Sequence, residues 1–289
     1  VAASTTDGTT ASAGGNVTAL NYGAITARGV CWSTTINPTT GGSHTTEAPE
    51  TGGVGAFTSA ITGLSVGSLY HVRAYATNAA GTAYGADVTF TAFTTPTVTT
   101  LAPHNYGATP ADSGGDVTSD GSSPITARGV CWGPTLNPVA TGSHVAVAGT
   151  TGPFDATIIG LVAGTAYHAR AYATNARGTS YGADVPFTFS VGPVVTTAAA
   201  SSTTDGTTAT GGGNVTSDGG SPITARGVCW SDLELPTTGN DHTVDAGTTG
   251  AFISAITGLT VGTLYHVRAY ASSTAGTRYG ADVTFTACT

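Results

Sequence analysis

The 289-residue chain has no Met and no Lys, and only 8% of its residues are charged, against about 25% in ordinary soluble domains. Each shortage excludes something. Without Lys there is no Schiff-base amine, no P-loop lysine and no Lys–Asn crosslink. Eight scattered Arg in a chain of net charge −8 supply no basic stripe for a phosphate backbone, so no nucleic-acid partner is expected. Only three Glu occur, Glu47, Glu50 and Glu234, and no G-x-S-x-G elbow, H-E-x-x-H pair or paired-Glu signature accompanies them. The four Cys form no C-x-x-C and no zinc spacing. No apolar run approaches the roughly 20 residues of a membrane span, so membrane insertion is not expected. The expectation is no enzyme activity and no cofactor. The chain opens on Val1 without a basic and then apolar leader; secretion is expected from composition and class.

What the chain has in abundance is Thr, about a fifth of all residues, and Gly, 42 in number. It also repeats itself at about 98 residues, which predicts three domains of similar size, over 1–95, 96–192 and 193–289. ITARGVCW occurs at Ile25–Trp32, Ile125–Trp132 and Ile223–Trp230, and YHVRAYATN or a close variant begins at Tyr70, Tyr167 and Tyr265. Each copy closes on GT-x-YGADV-x-FT, as at Gly81–Thr91. Short runs of period-2 alternation separated by Gly, Asn, Asp and Pro predict β-strands, and no segment carries a 3.6-residue period. The expected fold class is all-β.

Alternation predicts which face each residue occupies. Tyr70, Val72, Ala74 and Ala76 share one side of their strand, and His71, Arg73, Tyr75 and Thr77 the other. In the closing strand Tyr84, Ala86, Val88 and Phe90 oppose Gly85, Asp87, Thr89 and Thr91. One packed and one wet face per strand suits antiparallel sheets stacked as a sandwich. Burying Val30 with Trp32 removes more apolar area from water than burying Gly29 with Cys31, which points Trp32 inward. Gly29, inside the strand, is a candidate bulge.

The pattern Leu64-x-x-Gly67-x-x-Tyr70, repeated at Leu161–Tyr167 and Leu259–Tyr265, resembles the tyrosine corner of fibronectin type III domains, in which a Tyr hydrogen-bonds back to the chain. With VRAYATN-x-x-GT-x-YG and the GVCWS-x-x-x-NPT segment, the whole chain resembles the tandem fibronectin-III-like repeats of secreted and cell-surface bacterial proteins, notably of the Bacteroidota. The resemblance implies three tandem β-sandwiches in an extended rod, with Tyr70, Tyr167 and Tyr265 as structural corners. The P-x-V-T-T segments at Pro96 and Pro193 open domains 2 and 3. Aligning Asp7 with Asp205 sets Val1 opposite Ala199, so most of that first strand is missing from domain 1.

Several residues are candidates for function. Cys31, Cys131 and Cys229 occupy one equivalent position per domain, and Cys288 is an extra at the chain end. Two strand spacings of about 9–10 Å separate the strands of Cys229 and Cys288, too far for a disulfide. The thiols are therefore buried and free or, as with Cys288 and Cys31, candidates for intermolecular contact or crosslinking. His44, His144, His242 and the histidines beside each corner Tyr lack carboxylate or Cys companions at ligand spacing, so no metal site is expected. Arg28, Arg73 and Asp87, with Arg128, Arg170, Asp184, Arg226, Arg268 and Asp282, are expected to share the outer face of one sheet, as a charge ladder or as a docking face. Asn16 and Asn214 stand in glycosylation sequons, whereas domain 2 has Asp116 at that position.

These features predict a non-enzymatic extracellular structural protein that self-associates as a homo-oligomer or filament, assembled head to tail. The uncovered edge of domain 1 would accept a strand from another chain. The competing expectation is a surface adhesin or a spacer of a larger protein, binding a glycan or protein ligand.

Overall fold

A computed structural model describes residues 3–4, 7–47, 53–104 and 111–288; Glu50 lies outside them. The described residues form strands and connections, with no helix. Unit 1 carries β1 (Ala3–Ser4), β2 (Ala11–Val17), β3 (Ala27–Ser33), β4 (Ser43–His44), β5 (Gly55–Ile61), β6 (Leu69–Asn78), β7 (Gly81–Tyr84) and β8 (Val88–Thr91). Unit 2 follows with β9 (Thr97–His104), β10 (Ala111–Ser119), β11 (Ala127–Gly133), β12 (His144–Ala146), β13 (Gly152–Ile158), β14 (Ala166–Asn175), β15 (Gly178–Tyr181) and β16 (Val185–Thr188). Unit 3 has β17 (Val194–Thr197), β18 (Ser201–Ser202), β19 (Ala209–Ser217), β20 (Ala225–Ser231), β21 (Asp241–His242), β22 (Gly250–Ile256), β23 (Leu264–Ser273), β24 (Gly276–Tyr279) and β25 (Val283–Thr286).

Each unit is a sandwich of two antiparallel sheets. In unit 1 the order β1-β2-β5 faces β4-β3-β6-β7, with β8 also on β6. Unit 2 sets β9-β10-β13 against β12-β11-β14-β15, with β16 on β14. Unit 3 sets β17 and β18 with β19 and β22 against β21-β20-β23-β24, with β25 on β23. The all-β, tandem fibronectin-III-like architecture that the sequence implied is what the chain adopts.

The inward residues of both sheets make each core: Val30, Phe57, Ile61, Val72 and Phe90 in unit 1, Val228, Trp230, Phe252, Ile256 and Phe285 in unit 3. Trp32 lies in register with Val72, and Trp230 with Val267, so the indole faces inward as its area demands. The corner tyrosines close their turns as the resemblance implied. The hydroxyls of Tyr70, Tyr167 and Tyr265 accept the backbone N–H of Ser65, Val162 and Thr260 at 3.0, 3.1 and 3.2 Å. Each ring stacks on the closing strand's Phe, Tyr70 on Phe90 at 5.7 Å between centroids.

Two expectations about the strands are overturned. Gly29 is not a bulge, because β3 pairs β6 in unbroken register from Ala27 to Ser33. It is Gly because a Cβ there would collide with the carbonyl oxygen of Thr45, which crosses directly over the strand. The bulge lies instead in the closing strand. Tyr84 pairs Tyr75 and Val88 pairs Val72, so four steps on one strand match three on the other. Tyr84 is thereby turned to the outer face while Phe90 stays in the core, breaking the predicted alternation.

The connecting segments are pinned to the unit that follows them. Thr94 donates its N–H to the Gly121 carbonyl at 2.9 Å, and Asn175 Nδ2 donates to the carbonyls of Thr94 and Asp120 at 2.7 and 2.8 Å. Val191 repeats the first bond, donating to Gly219 at 2.8 Å.

Candidate functional site: the outer sheet face and the edge of unit 1

The outer face of the β3–β6 sheet was expected to be wet, and it is not. Tyr75, Tyr172 and Tyr270, on that face, are 4%, 3% and 2% exposed. The loop after β3 folds back across the sheet and covers them. Tyr75 Oη donates to the Thr45 carbonyl at 2.6 Å, and Tyr270 Oη to that of Thr243 at the same distance. Tyr84 Oη receives the N–H of Thr40 at 3.1 Å. Each unit thus has a small second core outside its sandwich, on the face that period-2 reading assigned to solvent because Tyr75 shares it with His71, Arg73 and Thr77.

Cys31 lies within that second core, in register with Arg73 and fully buried. Its Sγ donates to the carbonyls of Pro38 and Arg73 at 3.2 and 3.5 Å. Cys131 and Cys229 repeat these bonds. Burial raises all three thiols, those of Cys131 and Cys229 to about 11, which leaves almost no thiolate at neutral pH. This overturns Cys31 as an intermolecular crosslink: no second thiol reaches it while the loop is closed. Cys288 is free and exposed. A maleimide should therefore label one thiol per native chain, Cys288, and four after denaturation; mass spectrometry counts them.

The Arg–Arg–Asp ladder is also overturned. Arg28 is paired with Ala76 in register, on the inner face with Val30, and is 4% exposed. Its guanidinium lies 5.3 Å from the Phe57 ring, and Arg128 and Arg226 sit on Phe154 and Phe252 at 4.9 and 5.1 Å. Arg128 donates to the carbonyls of Ala148, Thr150 and Gly152, and Arg226 to those of Ala246, Thr248 and Gly250. These arginines are internal struts for the loop before β13 and β22. Alternation from Val30 alone places them inward; their charge argued against it.

Arg73, Arg170 and Arg268 do lie on the outer face. Each guanidinium covers a Tyr ring at 4.7 Å, that of Tyr84, Tyr181 or Tyr279. Each Nε donates to the carbonyl at the bulge, Arg73 to Gly85 at 3.0 Å. Asp87 is held by His71 Nδ1 at 3.0 Å and by the Asn37 N–H at 2.7 Å, where Asn37 has a left-handed φ of 57°. Asp184 and Asp282 make the same clasp with His168 and Asn137, and with His266 and Leu235. So the histidines beside the corner are partners of carboxylates. Among the described residues no three His, Cys, Asp or Glu converge as a metal site would require. Asn16 and Asn214 are both exposed, on β2 and β19.

The clasps predict acid sensitivity. The Asn37 N–H holds the Asp87 carboxyl below the ordinary carboxylate range, with help from His71. At Asp184 burial pushes upward, but the Asn137 N–H and His168 prevail and the group is lowered. Asp205 falls to about 2, bound first by the Thr203 hydroxyl and then by the N–H groups of Thr207 and Thr208. A depressed folded value contributes stability that is complete above the unfolded value near 4 and disappears as pH falls through the folded one. Through these carboxylates the melting temperature should be flat above about pH 5 and decline between about pH 4 and 2, as scanning calorimetry can show. Asp205→Ala should lower the plateau and flatten that decline.

The remaining feature distinguishes unit 1. In unit 2, β9 covers the free edge of β10, pairing Val98, Thr99 and Thr100 with Val117, Asp116 and Gly115. In unit 3, β17 does the same with Val195, Thr196 and Thr197 against Val215, Asn214 and Gly213. In unit 1, β1 reaches only Ser12 and Ala11, so among the described residues Gly15, Asn16 and Val17 have no strand on that side. A groove of about 310 Å³ opens there between β2 and the β6–β7 hairpin, beside a second depression of about 250 Å³.

No family model matches the chain, and no curated protein matches it. Among solved structures it is similar to the crystal structure of chicken CNTN1 FN1–FN3 domains, at 12% identity over 97% of this chain and 95% of that one. The TM-score is 0.32, a likeness too low to add to the strand pairing described above.

Proposed function

We propose that the chain is a non-enzymatic structural protein of the cell exterior, a subunit that joins others end to end into a surface filament. The observation that carries this reading is the tandem of three like sandwiches, low in charge, with exposed aliphatic side chains such as Leu69, Ile253 and Leu264. The chemistry of the units agrees with it. His71, Asp87, Arg73 and Cys31, the side chains best suited to catalysis or ligation, are each occupied in holding a loop or a bulge, and their counterparts do the same work in the other two units. Low charge permits close contact between neighbouring copies without strong repulsion.

Electron microscopy of native, unheated material, with light scattering of the purified chain, tests the reading. Fibres of regular axial repeat, or concentration-dependent growth, support it; a monodisperse monomer at all concentrations rejects it. A second reading, an adhesin or spacer segment that binds a protein ligand, is favoured by Ile36 and Leu136. These side chains are 71% and 70% exposed at the tips of the loops after β3 and β11. The loss of ligand binding on Ile36→Ser with Leu136→Ser would mark that alternative.

A further inference from the structure

We infer that the two joints between the units are locked, so that the three sandwiches move as one stiff body, and that the turn after β10 and its counterpart after β19 are the locks. The inference goes beyond end-to-end assembly and concerns the single chain.

The lock is shaped by its own side chains. The turn reads Asp120-Gly-Ser-Ser in unit 2 and Asp218-Gly-Gly-Ser in unit 3. Its second and third residues take left-handed backbone, with φ of 69° and 65° at Gly121 and Ser122 and of 67° and 81° at Gly219 and Gly220. Asp120 Oδ1 accepts the Ser122 N–H at 2.9 Å, and Ser119 Oγ accepts that of Gly121 at 3.1 Å. Asp218 and Ser217 repeat both bonds at 3.0 Å.

The connecting segment is gripped on several sides. Besides the N–H bonds from Thr94 and Val191, its carbonyls lie against the turn glycines. A Cβ on Gly121 would stand 2.8 Å from the Thr95 carbonyl oxygen, and one on Gly219 2.7 Å from that of Gly192. From the other side Arg278 covers Gly192, its Cγ 2.9 Å from where a Cβ would be. Ser221 Oγ bonds Thr274 Oγ1 at 2.7 Å, fastening the turn to the β23–β24 hairpin as Asn175 fastens its counterpart in unit 2. Asn175 and Ser221 are each 4% exposed, so these bonds are shielded from water.

A pinned linker alone leaves the preceding unit free to swing, and a third contact removes that freedom. The Gly of each Leu-x-x-Gly-x-x-Tyr corner bonds the end of its own closing strand. Gly67 donates to the Ala92 carbonyl at 2.7 Å and Gly164 to that of Phe189 at 2.8 Å, two residues before the N–H that grips the next unit. The same Gly touches the next unit's turn. A Cβ on Gly67 would stand 3.1 Å from Ser122 Oγ, and one on Gly220 would strike the Gly164 nitrogen and lie 2.5 Å from its Cα. Corner, linker and turn thus close a ring of contacts at each joint, and swinging either unit breaks one side of it. Small polar interfaces between domains permit motion by default. Here, at the second joint, both faces are backbone, with no side-chain rotamer to yield.

Spin labels measure both joints in the intact chain carrying Cys288→Ser, since the other three thiols are buried. Labelled pairs at exposed positions, Thr58→Cys with Asp155→Cys across the first joint and Asp155→Cys with Ile253→Cys across the second, should each give one narrow distance distribution by pulsed electron resonance. Gly220→Ser then tests the lock. Ser122 shows that the turn admits serine at that place, so unit 3 should melt as before while the new Cβ drives into Gly164. The distribution across the second joint should at least double in width, and that across the first should not change. A broad or multiple distribution at either joint of the parent chain overturns the inference, whether or not the variant folds. A folded Gly220→Ser chain that keeps the narrow distance overturns the turn's part in it. Filament growth is read separately by microscopy and light scattering, so failure here leaves that reading standing.

Discussion

Tyr270→Ala should destabilise unit 3 by about 3–5 kcal/mol, the range for emptying a buried aromatic site, although sequence periodicity assigns that Tyr to solvent. Tyr270 is 2% exposed beneath the loop that follows β20, and its hydroxyl holds the Thr243 carbonyl. Removing the ring opens a cavity outside the sandwich and cuts the loop's anchor in one step. Tyr270→Phe keeps the ring and loses one hydrogen bond, so about 1 kcal/mol is expected. Denaturant unfolding followed by hydrogen exchange, resolved unit by unit, measures both. A loss under about 1 kcal/mol for the alanine variant would show that the loop does not lean on this ring. The same variant should expose Cys229, which the loop covers, to maleimide.

Arg226→Ala is the second large effect expected, about 3 kcal/mol or more. Arg226 is 8% exposed, and its guanidinium rests on Phe252 and donates to the carbonyls of Ala246, Thr248 and Gly250. Hydrogen bonds from a charged donor are worth about 1.5–3 kcal/mol each, and truncation also leaves buried carbonyls unmatched and removes the packed stem. Arg226→Met retains the stem, so it should recover a minority of the loss. Limited thermolysin digestion gives an independent measure: cleavage within 243–250 should accelerate in both variants and most in the alanine one. Unchanged cleavage would mean that the loop keeps its shape without the strut.

What the sequence revealed and what it hid divide along physical lines. The corner tyrosines were legible because Leu-x-x-Gly-x-x-Tyr fixes a turn, a ring and a hydroxyl at set offsets, and all three contacts are local. The inward Trp was legible from area alone. Arg28, Tyr75 and Tyr84 were misplaced for three separate reasons. Arg28 follows the alternation of Val30 and was moved outward on account of its charge, although its guanidinium lies against the Phe57 ring inside the sandwich. Tyr75 was given its correct face, yet that face is roofed by a loop that carries no periodic signal. Tyr84 was displaced by a one-residue bulge, which shifts every later residue to the opposite side. The clasp of His71 and Asp87 depends on the same bulge and on a left-handed Asn37, and neither is marked by spacing. The open edge of unit 1 was legible, since aligning the three copies is enough to find it.

The sameness of the units has a further consequence, for how the chain reaches this structure. β3, β11 and β20 share the sequence ARGVCW, and each finds its partner in a strand reading RAYA in the same register. A strand of one unit therefore meets an equally good partner in its neighbour, with matching register and matching side chains. Only chain connectivity distinguishes right from wrong. Units emerging one at a time from a ribosome would close before a rival exists, whereas a denatured chain released all at once holds three interchangeable copies, the circumstance in which neighbouring domains exchange strands. Refolding yield should therefore be poorer for the whole chain than for slow synthesis.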